Sequence, residues 1–292
     1  MINEFLKTSE KHVKHRVWLM SDLQQHDPDR SRRCFYTAVE DFERLGLKCE
    51  KVWYMGDSVE GEDLNKLNEM TKMQEEVFLR LGLPVNYCPG NHDMDYLAAS
   101  GRAELPFRAM VASHKADGWK TTEKLSDFYF WDKLGDIDVL FLCDCAAEDG
   151  SWRFCHGSPF GEGYPYTYED FRRVAEERDS KAKVITAGHY SYPGGNRATE
   201  YMGGFMPISD NVKLHIYGHA HIGDSVWAGK DWGRQISGTD NHMLTQVNIS
   251  SLETGRGNAI RSAFLEIYDR GMAVFFRNHS KKCWDKMLVL ND

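Results

Sequence analysis

The sequence predicts an α/β fold whose first part is a parallel sheet. Two observations carry this. The first 93 residues alternate strand, helix, strand, helix, strand, the order in which crossover connections lay strands side by side in one direction. Beyond residue 221 the pattern changes to short strands parted by turns, without helical periodicity.

Val17-Trp18-Leu19-Met20 is an apolar run of strand length that leads into Asp22. Phe35, Ala38, Val39, Phe42 and Leu45 share one face of a helix over 31–45, and Gly46 ends it. Lys51 to Met55 is a second strand, running into Gly56-Asp57. Asp63 is placed to cap a helix carrying Leu67, Met70, Met73, Val77 and Leu81, which Gly82 stops. Pro84 to Cys88 is a third strand, followed by Pro89-Gly90-Asn91-His92. The middle is less regular. A helix is expected near 104–113, a strand pair over 128–131 and 137–143, and a helix over 168–178. Strands follow at 183–187 and 212–217, then at 225–228, 243–249, 263–268 and 272–277. Without repeats or linkers, the chain reads as a single domain, 1–292, with loop insertions near 94–126, 146–166 and 190–207. A second sheet built largely from the C-terminal strands is expected.

Composition narrows the function classes. Of 292 residues, 41% are hydrophobic and 27% charged, as in ordinary globular domains. The net charge of -8 argues against a sequence-independent grip on nucleic acid. No apolar run is long enough to span a bilayer. Met1 to Lys7 lacks the apolar stretch of a secretory signal, and the seven cysteines are an odd number. A reducing, cytoplasmic location is therefore expected.

The chemistry lies in the loops. Asp22, Asp57, Asn91, His92, His189, His219 and His221 each sit in a short Gly-marked or strand-end segment. Carboxylate, amide and imidazole groups delivered from several strand ends are the donor set of a two-metal hydrolytic centre. In Gly218-His219-Ala220-His221, alternation points both imidazoles the same way if the backbone is extended. Lone histidines more often satisfy local hydrogen bonds, so His12, His15, His114, His215, His242 and His279 are read as structural. His156 and Arg197, in the long loops, are candidate substrate contacts.

The ordered set resembles the calcineurin-like metallophosphoesterases, whose pattern is Asp-x-His, Gly-Asp, Gly-Asn-His-Asp/Glu, a lone His, then Gly-His-x-His. The resemblance spans Asp22 to His221. It implies a four-layer α/β/β/α sandwich with two mixed β-sheets and the site at the strand ends. It implies two divalent metal ions, with Asp57 bridging, Asp22, residue 24 and His221 on the first, and Asn91, His189 and His219 on the second. A hydroxide held between the metals would attack phosphorus. His92 would serve as the acid, oriented by Asp93 or another carboxylate. The chain departs from the pattern at Gln24, where the family usually has His. Gln24 would coordinate through its amide oxygen, with His26 as rival, and Mn²⁺ is favoured over Fe, Mg²⁺ or Zn²⁺. The expected substrate is a small phosphodiester such as a cyclic nucleotide or nucleotide derivative. Phosphomonoesters, phosphoproteins and nucleic acid are the alternatives, with an inactive scaffold behind them. Oligomeric state is not legible.

Overall fold

The structure is a computed structural model. It describes residues 2–60, 64–93, 118–122, 127, 129–143, 173–174, 176–178, 183–190, 212–222, 224, 234–239 and 242–290. The chain opens with α1 (Ile2–Ser9) and a single 3₁₀ turn, Glu10–His12, neither of which the sequence reading anticipated. Then come β1 (His15–Met20), α2 (Pro28–Leu45), β2 (Lys51–Tyr54), α3 (Leu64–Leu81) and β3 (Val85–Tyr87). Helix α2 begins before the expected residue 31. Asp27 accepts a hydrogen bond from the Asp29 amide at 3.0 Å and Pro28 opens the first turn, a pairing that favours helix starts. Gly46 ends it at φ 64°, as expected.

The remaining strands are β4 (Tyr129–Leu134), β5 (Ile137–Leu142), β6 (Val184–Gly188), β7 (Val212–Tyr217), β8 (Arg234–Thr239), β9 (His242–Asn248), β10 (Arg261–Ile267), β11 (Met272–Asn278) and β12 (Cys283–Leu290). Strands β8 and β12 are additional to the expected ones. The helix expected near 104–113 and the strand expected over 225–228 lie outside the described residues, as does most of the helix over 168–178 and of the three loop insertions.

Two six-stranded mixed sheets form, ordered β12-β11-β10-β1-β2-β3 and β4-β5-β6-β7-β9-β8. Strands β1, β2 and β3 run parallel, as the alternation predicts. The expectation for the C-terminal strands is corrected. The second sheet takes four strands, β4 to β7, from the middle of the chain and only β8 and β9 from beyond residue 221, whereas β10 to β12 extend the first sheet antiparallel from β1. Nothing local specifies this, because β10 gains its partner by long-range backbone pairing.

Period-two alternation divides β1 between two cores. Val17 and Leu19 face the space between the sheets, packed with Trp53, Phe141, Ile185 and Leu214. Trp18 and Met20 face α2 and α3. The Trp18 ring stacks on Phe42 of α2 with centroids 4.2 Å apart. Behind it lies a buried polar chain. The Trp18 indole donates to Ser262 Oγ, which lies 2.7 Å from His279 Nε2, and His279 Nδ1 lies 2.9 Å from Asp41 of α2. Arg277 donates twice to the same carboxylate. All five are buried, so this Ser–His–Asp order is a structural brace and no substrate reaches it. No described helix is long and apolar enough to cross a membrane.

Candidate metal centre

Five strands end at one place. The first sheet delivers Asp22 and Gln24 after β1, Asp57 after β2, and Asn91 to Asp93 after β3. The second sheet delivers His189 after β6, and His219 and His221 after β7. The loops are laced together. The Asp22 amide donates to the Gly56 carbonyl at 3.0 Å, and the Leu23 and Gln24 amides donate to the Asp57 carbonyl. A Cβ on Gly56 would stand 2.7 Å from Gly90 and from His189 Nδ1, so glycine is what allows the approach.

Asp22, Asp57, His219 and His221 all have positive φ, at 57°, 53°, 62° and 42°. Non-glycine residues pay for this conformation, and it concentrates at functional sites. It also corrects the expectation for Gly-His-Ala-His. The two imidazoles are presented by a left-handed backbone, not by extended alternation.

Two groups of donors result. Asp57, His189 and His219 bring ligand atoms within 4.8 Å of one another, and so do Asp22, Asp57 and His221. Asp57 belongs to both. Asn91 Oδ1 joins the former group, 3.1 Å from His189 Nε2, and the buried Tyr190 hydroxyl donates to it at 3.1 Å. Gln24 joins the latter, its Nε2 2.9 Å from His221 Nε2. His26 is exposed and belongs to neither group.

Hydrogen bonding alone does not satisfy the cluster. His189 Nδ1 is 2.8 Å from the Met55 carbonyl, which makes Nδ1 the donor and leaves the Nε2 lone pair inward in the neutral ring. That nitrogen faces Asp57 Oδ2, Asn91 Oδ1 and His219 Nδ1 at 3.1, 3.1 and 3.2 Å. One N–H could not serve three such neighbours. Among the described residues, Asp57 Oδ2 and Gln24 Oε1 are buried and accept no hydrogen bond. A buried carboxylate oxygen that accepts no hydrogen bond, beside the imidazoles of His189, His219 and His221, fits divalent cations, and the carboxylate, amide and imidazole mixture suits first-row metals or Mg²⁺.

Protonation tells the same story. Burial opposes charge on His189, but Asp57 and Asp22 outweigh it and push its pKa up to about 10. Burial likewise opposes charge on His221, yet Asp22 and Glu253 carry it to about 9. His219 is lowered to about 3, by burial and by the positive field of His189. Burial also opposes ionisation of Asp57, but His189, His92 and His219 hold its carboxyl well below the usual range.

His92 stands beside this cluster. Its amide donates to Asp57 Oδ1 at 2.7 Å, and its Nδ1 lies 3.0 Å from Glu60 Oε1. Glu60 is therefore the carboxylate beside His92. Asp93 does something else: it accepts hydrogen bonds from the amides of Asp57, Ser58, Val59 and Gly90, bracing the Gly56-Asp57 turn. Burial and the charge of Asp57 push the Asp93 pKa up to about 6. Glu60 and Glu253 are the site residues that sequence reasoning missed. The one signal for Glu60 is its place three residues after Asp57. Glu253 follows β9 with no motif around it. His215 is buried between Thr186 and the Tyr190 carbonyl, a structural role as expected. His156 and Arg197 lie outside the described residues.

The sequence matches the calcineurin-like phosphoesterase family over residues 15–223. No curated protein matches significantly. Among solved structures, a dimetal phosphatase from Danio rerio is similar at a TM-score of 0.62 and 11% identity, covering 96% of this chain and 99% of that one. Purple acid phosphatase from yellow lupin (Lupinus luteus) seeds is similar at a TM-score of 0.54 and 14% identity, over 95% of this chain and 53% of that one. The Plasmodium protein GAP50, described as the anchor in the inner membrane complex, is similar at a TM-score of 0.55 and 12% identity, over 96% of this chain and 89% of that one. At these identities the structures establish the fold, and the family match spans most of the chain. By that match, and by the strand-end donor set that accompanies it, the chain belongs to the calcineurin-like phosphoesterase family.

Proposed function

We propose that this protein is a dinuclear metal-dependent hydrolase of small phosphodiesters, with cyclic nucleotides and nucleotide derivatives as the leading class. The observation that carries the reading is Asp57, one buried carboxylate common to two donor groups. Asp22, Gln24, Asp57 and His221 would hold the first ion. Asp57, Asn91, His189 and His219 would hold the second. When bound, the pair would neutralise phosphoryl oxygens and acidify a water. The chain's own residues do the rest. The Met55 carbonyl and Glu253 fix the tautomers of His189 and His221. His92, with Nδ1 engaged by Glu60, would carry a proton on Nε2 to the leaving oxygen.

Charge favours diesters. Two divalent cations against Asp22, Asp57 and an ionised water would leave about one positive charge, which matches a diester monoanion. The amide donors Gln24 and Asn91 favour Mn²⁺ over zinc. Among the described residues, Cys34, Cys49, Cys143 and Cys283 are thiols rather than disulfides, in keeping with a reducing cytoplasm.

The test loads the protein with Mn²⁺ and compares bis-p-nitrophenyl phosphate, p-nitrophenyl phosphate, cyclic nucleotides and single-stranded DNA. Faster turnover of the diester and of cyclic nucleotides is expected. A preference for the monoester or for DNA would replace the diester reading, and no hydrolysis at all would leave a scaffold.

A further inference from the structure

We infer that Glu253 is a positioning residue for the first metal, compensating for the amide at Gln24. The inference rests on the dinuclear reading and deepens it. Glu253 lies beyond residue 223, outside the stretch matched to the family.

A buried carboxylate is costly unless its environment uses the charge. Glu253 is 2% exposed. Its Oε1 lies 3.0 Å from His221 Nδ1 and accepts from Asn258 Nδ2 at 3.2 Å, and the Gly255 amide donates to Oε2. The main chain fixes it as well. The Leu252 amide donates to the Ser21 carbonyl at 3.1 Å, and the Glu253 amide to the Asp22 carbonyl at 3.0 Å. One residue is thus tied by its backbone to Asp22 and by its side chain to His221, two of the three donors that gather around the first position.

The consequence is directional. With the Nδ1 proton drawn to Glu253, the His221 Nε2 lone pair turns to the cluster, 3.1 Å from Asp22 Oδ1 and 2.9 Å from Gln24 Nε2. A carboxylate acceptor also makes the imidazole a stronger donor. The second position is built differently, since His189 sends Nδ1 to a neutral carbonyl, that of Met55. That position has two imidazoles, His189 and His219. The first has one imidazole and the weaker amide of Gln24. The carboxylate stands behind the imidazole that lacks an imidazole partner.

The experiment titrates metal-free, full-length protein with Mn²⁺ by calorimetry and follows the paramagnetic resonance spectrum. Wild type, Glu253→Gln, Gln24→His and the double variant are compared. Wild type is expected to take two ions with a spin-coupled signal. Glu253→Gln should weaken one of the two by about 10- to 100-fold and give an isolated-ion signal at the same loading. In the Gln24→His background the same change should cost several-fold less. Equal weakening of both ions, unchanged affinities, or an undiminished cost in the Gln24→His background would each overturn the inference. The Gln24→His arm does not depend on how well Glu253→Gln folds alone, because the melting temperature of each metal-free variant is read alongside. If the wild type takes fewer than two ions, the dinuclear reading falls first and this inference with it.

Discussion

At the scale of single residues, Glu60 sets the orientation of His92, on which the proposed acid role depends. A carboxylate 3.0 Å from Nδ1 holds the proton there and orients the ring. His92→Ala should leave Mn²⁺ uptake intact and slow turnover by about 10²- to 10⁴-fold. Glu60→Gln should fall between wild type and that variant, with KM unchanged and kcat reduced. Steady-state kinetics alongside metal titration checks both, and loss of an ion in either variant would move His92 into the ligand set. The donor groups after β2, β3, β6 and β7 were legible because glycines at 56, 90, 188 and 218 mark their strand ends, and Asp22 because it closes an apolar run. Glu60 and Glu253 were not legible. A carboxylate that acts through an imidazole needs no special backbone, and Glu253 meets His221 across 32 residues. Gln24 was readable only as an exception within a pattern.

At the scale of elements, the brace behind β1 ties α2 to the C-terminal strands. Burial works against the Asp41 carboxylate, but the hydrogen bonds from His279 and Arg277 outweigh it and hold its pKa far below the ordinary range. A depressed pKa stabilises the fold above the unfolded value, about 4, and that contribution is lost as pH falls further. Asp41→Asn should therefore cost about 3–5 kcal/mol, by leaving Arg277 unpaired. Urea denaturation should show that cost level between about pH 5 and 8 and shrinking in stronger acid. Elements were legible where an apolar run ended at glycine, as at β2, β6 and β7, or at a motif carboxylate, as at β1. Strand β12 was missed because Asp285 and Lys286 interrupt it and its side chains are mostly half-exposed at the sheet edge. Helix α1 was missed because it forms by docking, with Phe5 packed on Phe275 at 5.8 Å.

At the scale of the whole molecule, the two sheets share the candidate metal site, three donor loops from one and two from the other. Bound ions would therefore fasten the layers together. Free Mn²⁺ at about 100 times its dissociation constant should stabilise the fold by about 2.7 kcal/mol, read as a rise in melting temperature that chelation reverses. The raised values of His189 and His221, about 10 and 9, mean that metal must displace protons at neutral pH. Affinity should rise with pH across roughly 6 to 9, with proton release measurable in weak buffer.

The position of β1 has a consequence in time. It lies between β2 and β10, and its Trp18 meets Ser262 across 244 residues of chain. At ordinary rates of synthesis, on the order of 5–20 residues per second, one edge of β1 waits roughly 12–50 seconds for its partner. Throughout that interval Val17 to Met20 present an apolar strand with unpaired amides and carbonyls, a template for wrong pairing. The strand that leads into Asp22 is thus open to mispairing while the chain is being made, and protein overproduced faster than chaperones can attend it should aggregate through that edge.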